Sequence, residues 1–189
     1  MDTTIGTKVR RVNGLDPGAV DTARAQIAQD PESGKVEFRV RSEWRGQMRT
    51  RASIESYTVG GQTVHRHFTI DADEPFELLG RNTAPNPQEL MLAALSACLT
   101  VGYATTAALR GIRLEAVEIE TSGVLDLRGF LGIDGTVPPG YETVRCVVRL
   151  KGDATPAQLK EIHETVRRTS PNYFTLASPV RIETELLVE

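Results

Sequence analysis

The chain has 189 residues, enough for one domain with a proper core and short for two. Hydrophobic residues make up 40% of it and charged residues 25%, an ordinary globular balance that argues against a disordered chain. Lys and Arg number 22 against 25 Asp and Glu, the net charge is −3, and no polybasic run occurs, so nucleic acid is not an expected partner. Two cysteines, Cys98 and Cys146, are too few for a disulfide-stapled fold. The first twenty residues carry Asp2, Lys8, Arg10, Arg11 and Asp16 instead of the apolar segment of a signal peptide, which sets a cytoplasmic expectation.

In chain order, residues 1–34 read as a helical arm. Asp16 and Pro17 supply an N-cap and first helical position, and the helix stops before Asp30 and Pro31. The main domain, residues 35–189, opens with Val36, Phe38 and Val40 alternating with Glu37, Arg39 and Arg41, the pattern of a half-buried strand. Met48 to Val59 and Thr63 to Ile70 read as two further strands joined at Gly60–Gly61, a hairpin signal. Asp71 to Pro87 is a polar loop. A long helix follows from Pro87, with Glu89 placed to favour its dipole, and ends at Arg110–Gly111.

Leu114 to Leu127 is a long, imperfectly alternating strand, and Arg128 to Gly140 is a loop large enough to cover a pocket. In the strand Tyr141–Lys151, Val144, Cys146, Val148 and Leu150 face one way and Arg145, Arg149 and Lys151 the other. Thr155–Pro156 opens a helix to Arg168 with Leu159, Ile162 and Val166 on its apolar side. Ser170–Pro171 starts a short helix or turn, and Val180 to Val188 reads as a closing strand. The order gives an α+β fold with a mostly antiparallel sheet.

From Leu90 to Leu109 no residue is charged, a length that would cross a bilayer. Its many alanines, with Ser96, Thr100, Gly102, Thr105 and Thr106, dilute the hydrophobicity, and the flanks lack a positive-inside bias. The expectation is therefore a buried central helix and no membrane span. Glu89 stands nine residues before Cys98, roughly 13 to 14 Å along the axis and on the opposite face. The two share a site most simply across a dimer.

The cysteines read differently. Cys146, between Val144 and Val148 on an apolar strand face, behaves as a small hydrophobe. Cys98 shares a helical stripe with Met91, Leu95 and Gly102. Reactivity there requires a cation and some solvent access, and no cation lies within one helical turn of it in sequence.

NPQELMLAALSACLT, residues 86–100, resembles the central-helix motif of the OsmC/Ohr family, in which Asn-Pro-Glu-x-Leu leads to an Ala-rich stretch ending in Cys. The DEP of residues 73–75, the RGFLGI of 128–133 and the closing helix with Ser170–Pro171 are similar to features of its OsmC-like branch. The resemblance implies a mostly antiparallel sheet wrapped around a long central helix, in an intertwined homodimer. It also implies a thiol peroxidase acting on organic hydroperoxides, with no cofactor and no metal. Cys98 takes the peroxidatic position; an arginine, Arg45 or Arg49, favours its thiolate; and a glutamate holds that arginine.

Two departures qualify the match. The family's Cys-Pro, which supplies the resolving thiol, is Ser170–Pro171 here, and a hydroxyl forms no disulfide. The glutamate directly after Asn-Pro is Gln88, with Glu89 one place later as its replacement. Gln88 and Ser170 then stand among the ligand-facing residues, and reduction falls to an external thiol. The alternative is a non-catalytic dimer that binds a small hydrophobic or thiol-reactive ligand. A metal reading of His65 and His67, with Asp71 and Glu74 beyond, resembles a cupin motif, but the spacings miss it and a long apolar helix does not suit a β-barrel.

Overall fold

The computed structural model describes residues 11–188; the first ten residues of the expected N-terminal arm lie outside them. The chain forms two compact units, one up to Leu92 and one from Ala93 onward.

In the first unit, helix α1 (Pro17–Gln29) starts at Asp16, whose carboxylate accepts from the Gly18 N–H, and buries none of its side chains. Four strands follow: β1 (Val36–Phe38), β2 (Arg41–Trp44), β3 (Thr50–Val59) and β4 (Gln62–Ala72). All pairings are antiparallel. β4 runs along one edge of β3, which leaves the other edge to be shared by β1 at the Val59 end and β2 at the Thr50 end. Gly60 and Gly61, both at positive φ, make the β3–β4 turn. The half-buried strand expected at Val36–Arg41 is broken after Phe38, and both of its pieces are exposed. Alternation identifies which side chains share a face; it does not supply a layer to cover that face.

Helix α2 (Pro87–Leu109) runs from the first unit into the second, where it packs with strands β5 (Leu114–Gly123) and β6 (Val144–Gly152) and helix α4 (Pro156–Thr169). Two short helices, α3 (Leu127–Phe130) and α5 (Pro171–Ala177), complete the set. β5 and β6 form an antiparallel ladder in which Thr121 faces Cys146 and Ile119 faces Val148. α4 begins with a capping box: Thr155 Oγ1 accepts from the Gln158 N–H, and the Gln158 side chain accepts from the Thr155 N–H. The core joins Leu95, Leu99, Tyr103 and Ala107 of α2 to Ile162 and Val166 of α4, with Val117, Ile119, Cys146 and Val148 packed against them. Full burial of side chains such as Ile162 and Val166 contributes roughly 1.5–3 kcal/mol each. The loop after β5 borders an open cavity of about 700 Å³ lined by Ser122, Asp126, Arg128, Val137, Glu142 and Arg145.

Within one chain α2 is only partly covered, and the expected closing strand is corrected. α2 is long and apolar enough to cross a membrane, but it is not covered all round within one chain: it buries the Leu95–Leu99–Tyr103–Ala107 stripe while Val101 stays 66% exposed. Residues 180–188 form no ladder with any described strand, and Ile182, Leu186, Leu187 and Val188 are exposed. Their composition favours an extended chain, but a strand also needs a free edge to pair with.

Candidate functional site

Cys98 lies on α2 one position before the buried Leu99 and is itself half-buried. Its Sγ is 3.3 Å from the hydroxyl of Ser170, a buried residue at the junction of α4 and α5. Ser170 is the N-cap of α5: its Oγ accepts from the Tyr173 N–H at 3.2 Å, while its own N–H still donates to the Val166 carbonyl. Two residues on, Asn172 Nδ2 donates to the Ala94 carbonyl at 2.8 Å, one turn before Cys98. The start of α5 is therefore fastened to α2 at the sulfur and again one turn before it.

The approach of α4 to α2 depends on Gly102. A Cβ there would stand 2.9 Å from Val166 Cγ1, closer than real contacts allow. One residue further along α2, the fully buried Tyr103 shares a 2.6 Å hydrogen bond with His163 Nδ1 of α4. Burial, and secondarily the nearby Cys146, push the Tyr103 phenol up to about 12. Arg167 donates to the Tyr173 hydroxyl, stacks over its ring and pairs with Glu164, which ties α4 to α5. Cys146 packs against the core, and burial raises its thiol pKa, the behaviour of a structural cysteine.

The remaining sequence candidates belong to the first unit. Glu89 is the third residue of α2 and closes a capping box with Asn86: each side chain accepts the other's backbone N–H at 2.8 Å. The Asn-x-x-Glu spacing carried that signal. Gln88 is half-buried in the same turn. Arg45 is half exposed and paired with Glu43 at 2.7 Å. Arg49 is less exposed; its Nη2 donates to the Arg45 carbonyl at 2.8 Å, and its buried Nε has no partner. Of the two arginines, Arg49 has a buried donor without a partner, while the guanidinium of Arg45 is half in solvent.

Sequence reasoning passed over Asp73, although the DEP segment contains it. It is buried and organises the loop ahead of α2, accepting from the Thr83 hydroxyl and from the N–H groups of Thr83, Glu74 and Arg81. The Thr83 hydroxyl above all, then these backbone donors, hold its carboxyl down at about 2. Glu74 Oε2 is buried without a partner. His65 and His67 lie on the exposed β4, and among the described residues no cluster of three or more His, Cys, Asp or Glu could hold a metal ion.

Among solved structures, the chain is similar to an OsmC-like protein from Mycoplasma pneumoniae at 14% identity and TM-score 0.56, over 75% of this chain and 87% of that one. It is similar at 17% identity and TM-score 0.50 to an OsmC-like protein of unknown function from Vibrio cholerae, over 72% and 91% of the two chains. A protein from Legionella pneumophila named an organic hydroperoxide resistance protein, OsmC, matches at 18% identity and TM-score 0.45 over 74% and 88%. No relative is found among curated proteins. The α+β architecture with antiparallel sheets is the fold of the first two neighbours. The family model of OsmC-like proteins matches residues 80–185, more than half of the sequence and the whole stretch from α2 through α5. The chain belongs to the OsmC-like protein family.

Proposed function

We propose that this protein reduces organic hydroperoxides through Cys98 and is returned to the thiol by an external reductant. The observation that carries the reading is the Cys98–Ser170 contact of 3.3 Å, in an OsmC-like chain whose motif cysteine is Cys98. The thiolate attacks the terminal peroxide oxygen and breaks the O–O bond. The departing alkoxide takes a proton and leaves as an alcohol, and Cys98 becomes a sulfenic acid. An external thiol condenses with that sulfenate, releasing water and leaving a mixed disulfide. A second external thiol then frees Cys98 by exchange.

Of the two candidate arginines, Arg49 fits a thiolate partner better because its Nε is buried without a partner, whereas Arg45 stands half exposed beside Glu43. Glu89 keeps one oxygen on the Asn86 N–H and offers the other to a guanidinium. The working form is a homodimer in which a second copy covers the exposed faces of α2 and contributes its own glutamate and arginine. The setting is the reducing cytoplasm, consistent with two free cysteines.

The test is an organic hydroperoxide assay with several thiol reductants, comparing the protein with Cys98→Ser, alongside dimedone trapping followed by mass spectrometry. The expected result is turnover lost in the variant and a dimedone adduct on Cys98. Absence of any adduct at Cys98 under every hydroperoxide would remove the enzyme reading and leave a binding module. Sedimentation as a stable monomer at micromolar concentration would remove the dimer.

A further inference from the structure

Ser170 stands where a resolving thiol would be, yet its surroundings are those of a hydrogen-bond donor fixed on the reacting sulfur. A serine hydroxyl has one proton and two lone pairs. One lone pair of Ser170 Oγ is taken by the Tyr173 N–H, and among the described residues its second hydrogen-bond partner is Cys98 Sγ at 3.3 Å. A thiolate accepts only, so once Cys98 is ionised the hydroxyl proton must point at the sulfur. The side chain has little freedom to turn elsewhere: Ser170 is 5% exposed, its own N–H is held by Val166, and Asn172 fastens the next turn to the Ala94 carbonyl.

We propose that Ser170 is a positioning residue for Cys98, donating to its thiolate and then remaining as the neighbour of the sulfenate without condensing with it. This rests on the peroxidase reading only for its second half. The donor role concerns the thiolate alone and is tested without any hydroperoxide. The same geometry predicts what a sulfur at this position would do. In Ser170→Cys the two sulfurs occupy neighbouring sites, so the sulfenate formed on Cys98 is attacked by the introduced thiol, closing an S–S bond and releasing water.

The experiment compares the wild type with Ser170→Ala, Ser170→Thr and Ser170→Cys. Iodoacetamide labelling at neutral pH is followed on the Cys98 peptide by mass spectrometry, together with ultraviolet thiolate absorbance. Ser170→Ala is expected to slow Cys98 labelling by about fivefold or more and to lower the thiolate absorbance, because a hydrogen bond to a charged acceptor is lost. Ser170→Thr, which keeps the hydroxyl, is expected to stay within about twofold of wild type. Equal labelling and absorbance in the wild type and the alanine variant overturns the donor role, as does a threonine variant that behaves like alanine while melting like wild type.

Ser170→Cys is treated in parallel with cumene hydroperoxide and with diamide, an azo oxidant that joins two thiols and is itself reduced to the hydrazine. A disulfide with both oxidants supports the placement and the chemistry. A disulfide with diamide alone keeps the placement and removes the peroxidase reading. A disulfide with neither overturns the placement.

Discussion

Replacing Gly102 with alanine sets two effects of opposite sign against each other. Alanine in a helix interior is favoured over glycine by roughly 0.5–1 kcal/mol, through the backbone entropy of the unfolded chain. Against that, the new Cβ would meet Val166 Cγ1 at 2.9 Å and Cγ2 at 3.5 Å, in a core where Val166 is fully buried. A β-branched side chain has one preferred helical rotamer, and rotating it brings the second methyl toward the same spot. The strain therefore passes to the α2–α4 spacing, with overpacking costs of about 1–3 kcal/mol. Crowding wins: Gly102→Ala should lose about 1 kcal/mol or more, which in a chain of this size lowers the melting temperature by roughly 2–4 °C per kcal/mol. Thermal and urea denaturation measure it. A double-mutant cycle with Val166→Ala locates it, because removing the two valine methyls should make the pair less costly than the sum of the singles by about 1 kcal/mol. A stabilised Gly102→Ala variant, or strictly additive costs, would refute the close-contact argument.

Asp73→Asn should melt several degrees lower at neutral pH, because its amide group would face backbone donors that now find a carboxylate. The wild-type carboxyl, held at about 2, contributes stability that is complete above about pH 4 and is lost as the pH falls toward 2, so the variant's acid limb should be flatter in urea titrations. Tyr103→Phe should cost about 1 kcal/mol in urea unfolding by removing the partner of His163 Nδ1. With its phenol at about 12, Tyr103 contributes stability present below about pH 10 and lost as the pH climbs through 12, so the alkaline limb should flatten in that variant. Native alkylation should reach Cys146 severalfold more slowly than Cys98, since burial raises the Cys146 thiol; peptide mapping after brief maleimide exposure reads the ratio.

The helices were largely legible because their signals are local. Asp16–Pro17, Pro87 and Thr155–Pro156 mark starts that the structure keeps, and the 3.6-residue spacing of Leu159, Ile162 and Val166 marks the buried face of α4. The β3–β4 hairpin was legible for the same reason, its turn being written in Gly60–Gly61. Residues 180–188 were not, because pairing depends on an edge elsewhere that no local pattern encodes. At the candidate site, Cys98 and Ser170 are adjacent although 72 residues apart, a contact that only the family resemblance anticipated. The Arg45–Glu43 ion pair and the burial of Arg49 Nε are written in no local motif, and Asp73 escaped notice because its value lies in four donors gathered from a loop.

The two long helices that meet beside the sulfur open with the same four-residue grammar. Asn86-Pro87-Gln88-Glu89 begins α2 and Thr155-Pro156-Ala157-Gln158 begins α4, each with a cap, a proline at the first helical position and a reciprocal acceptor at the third. Such starts are specified by adjacent residues and can form before any tertiary contact. A helix that began one residue early or late would turn every later side chain by about 100°. That slip would swing Cys98 away from Ser170 and carry Gly102 off Val166. The angular position of Cys98 and Gly102 is thus set at the first turn of α2, and that of Val166 at the first turn of α4.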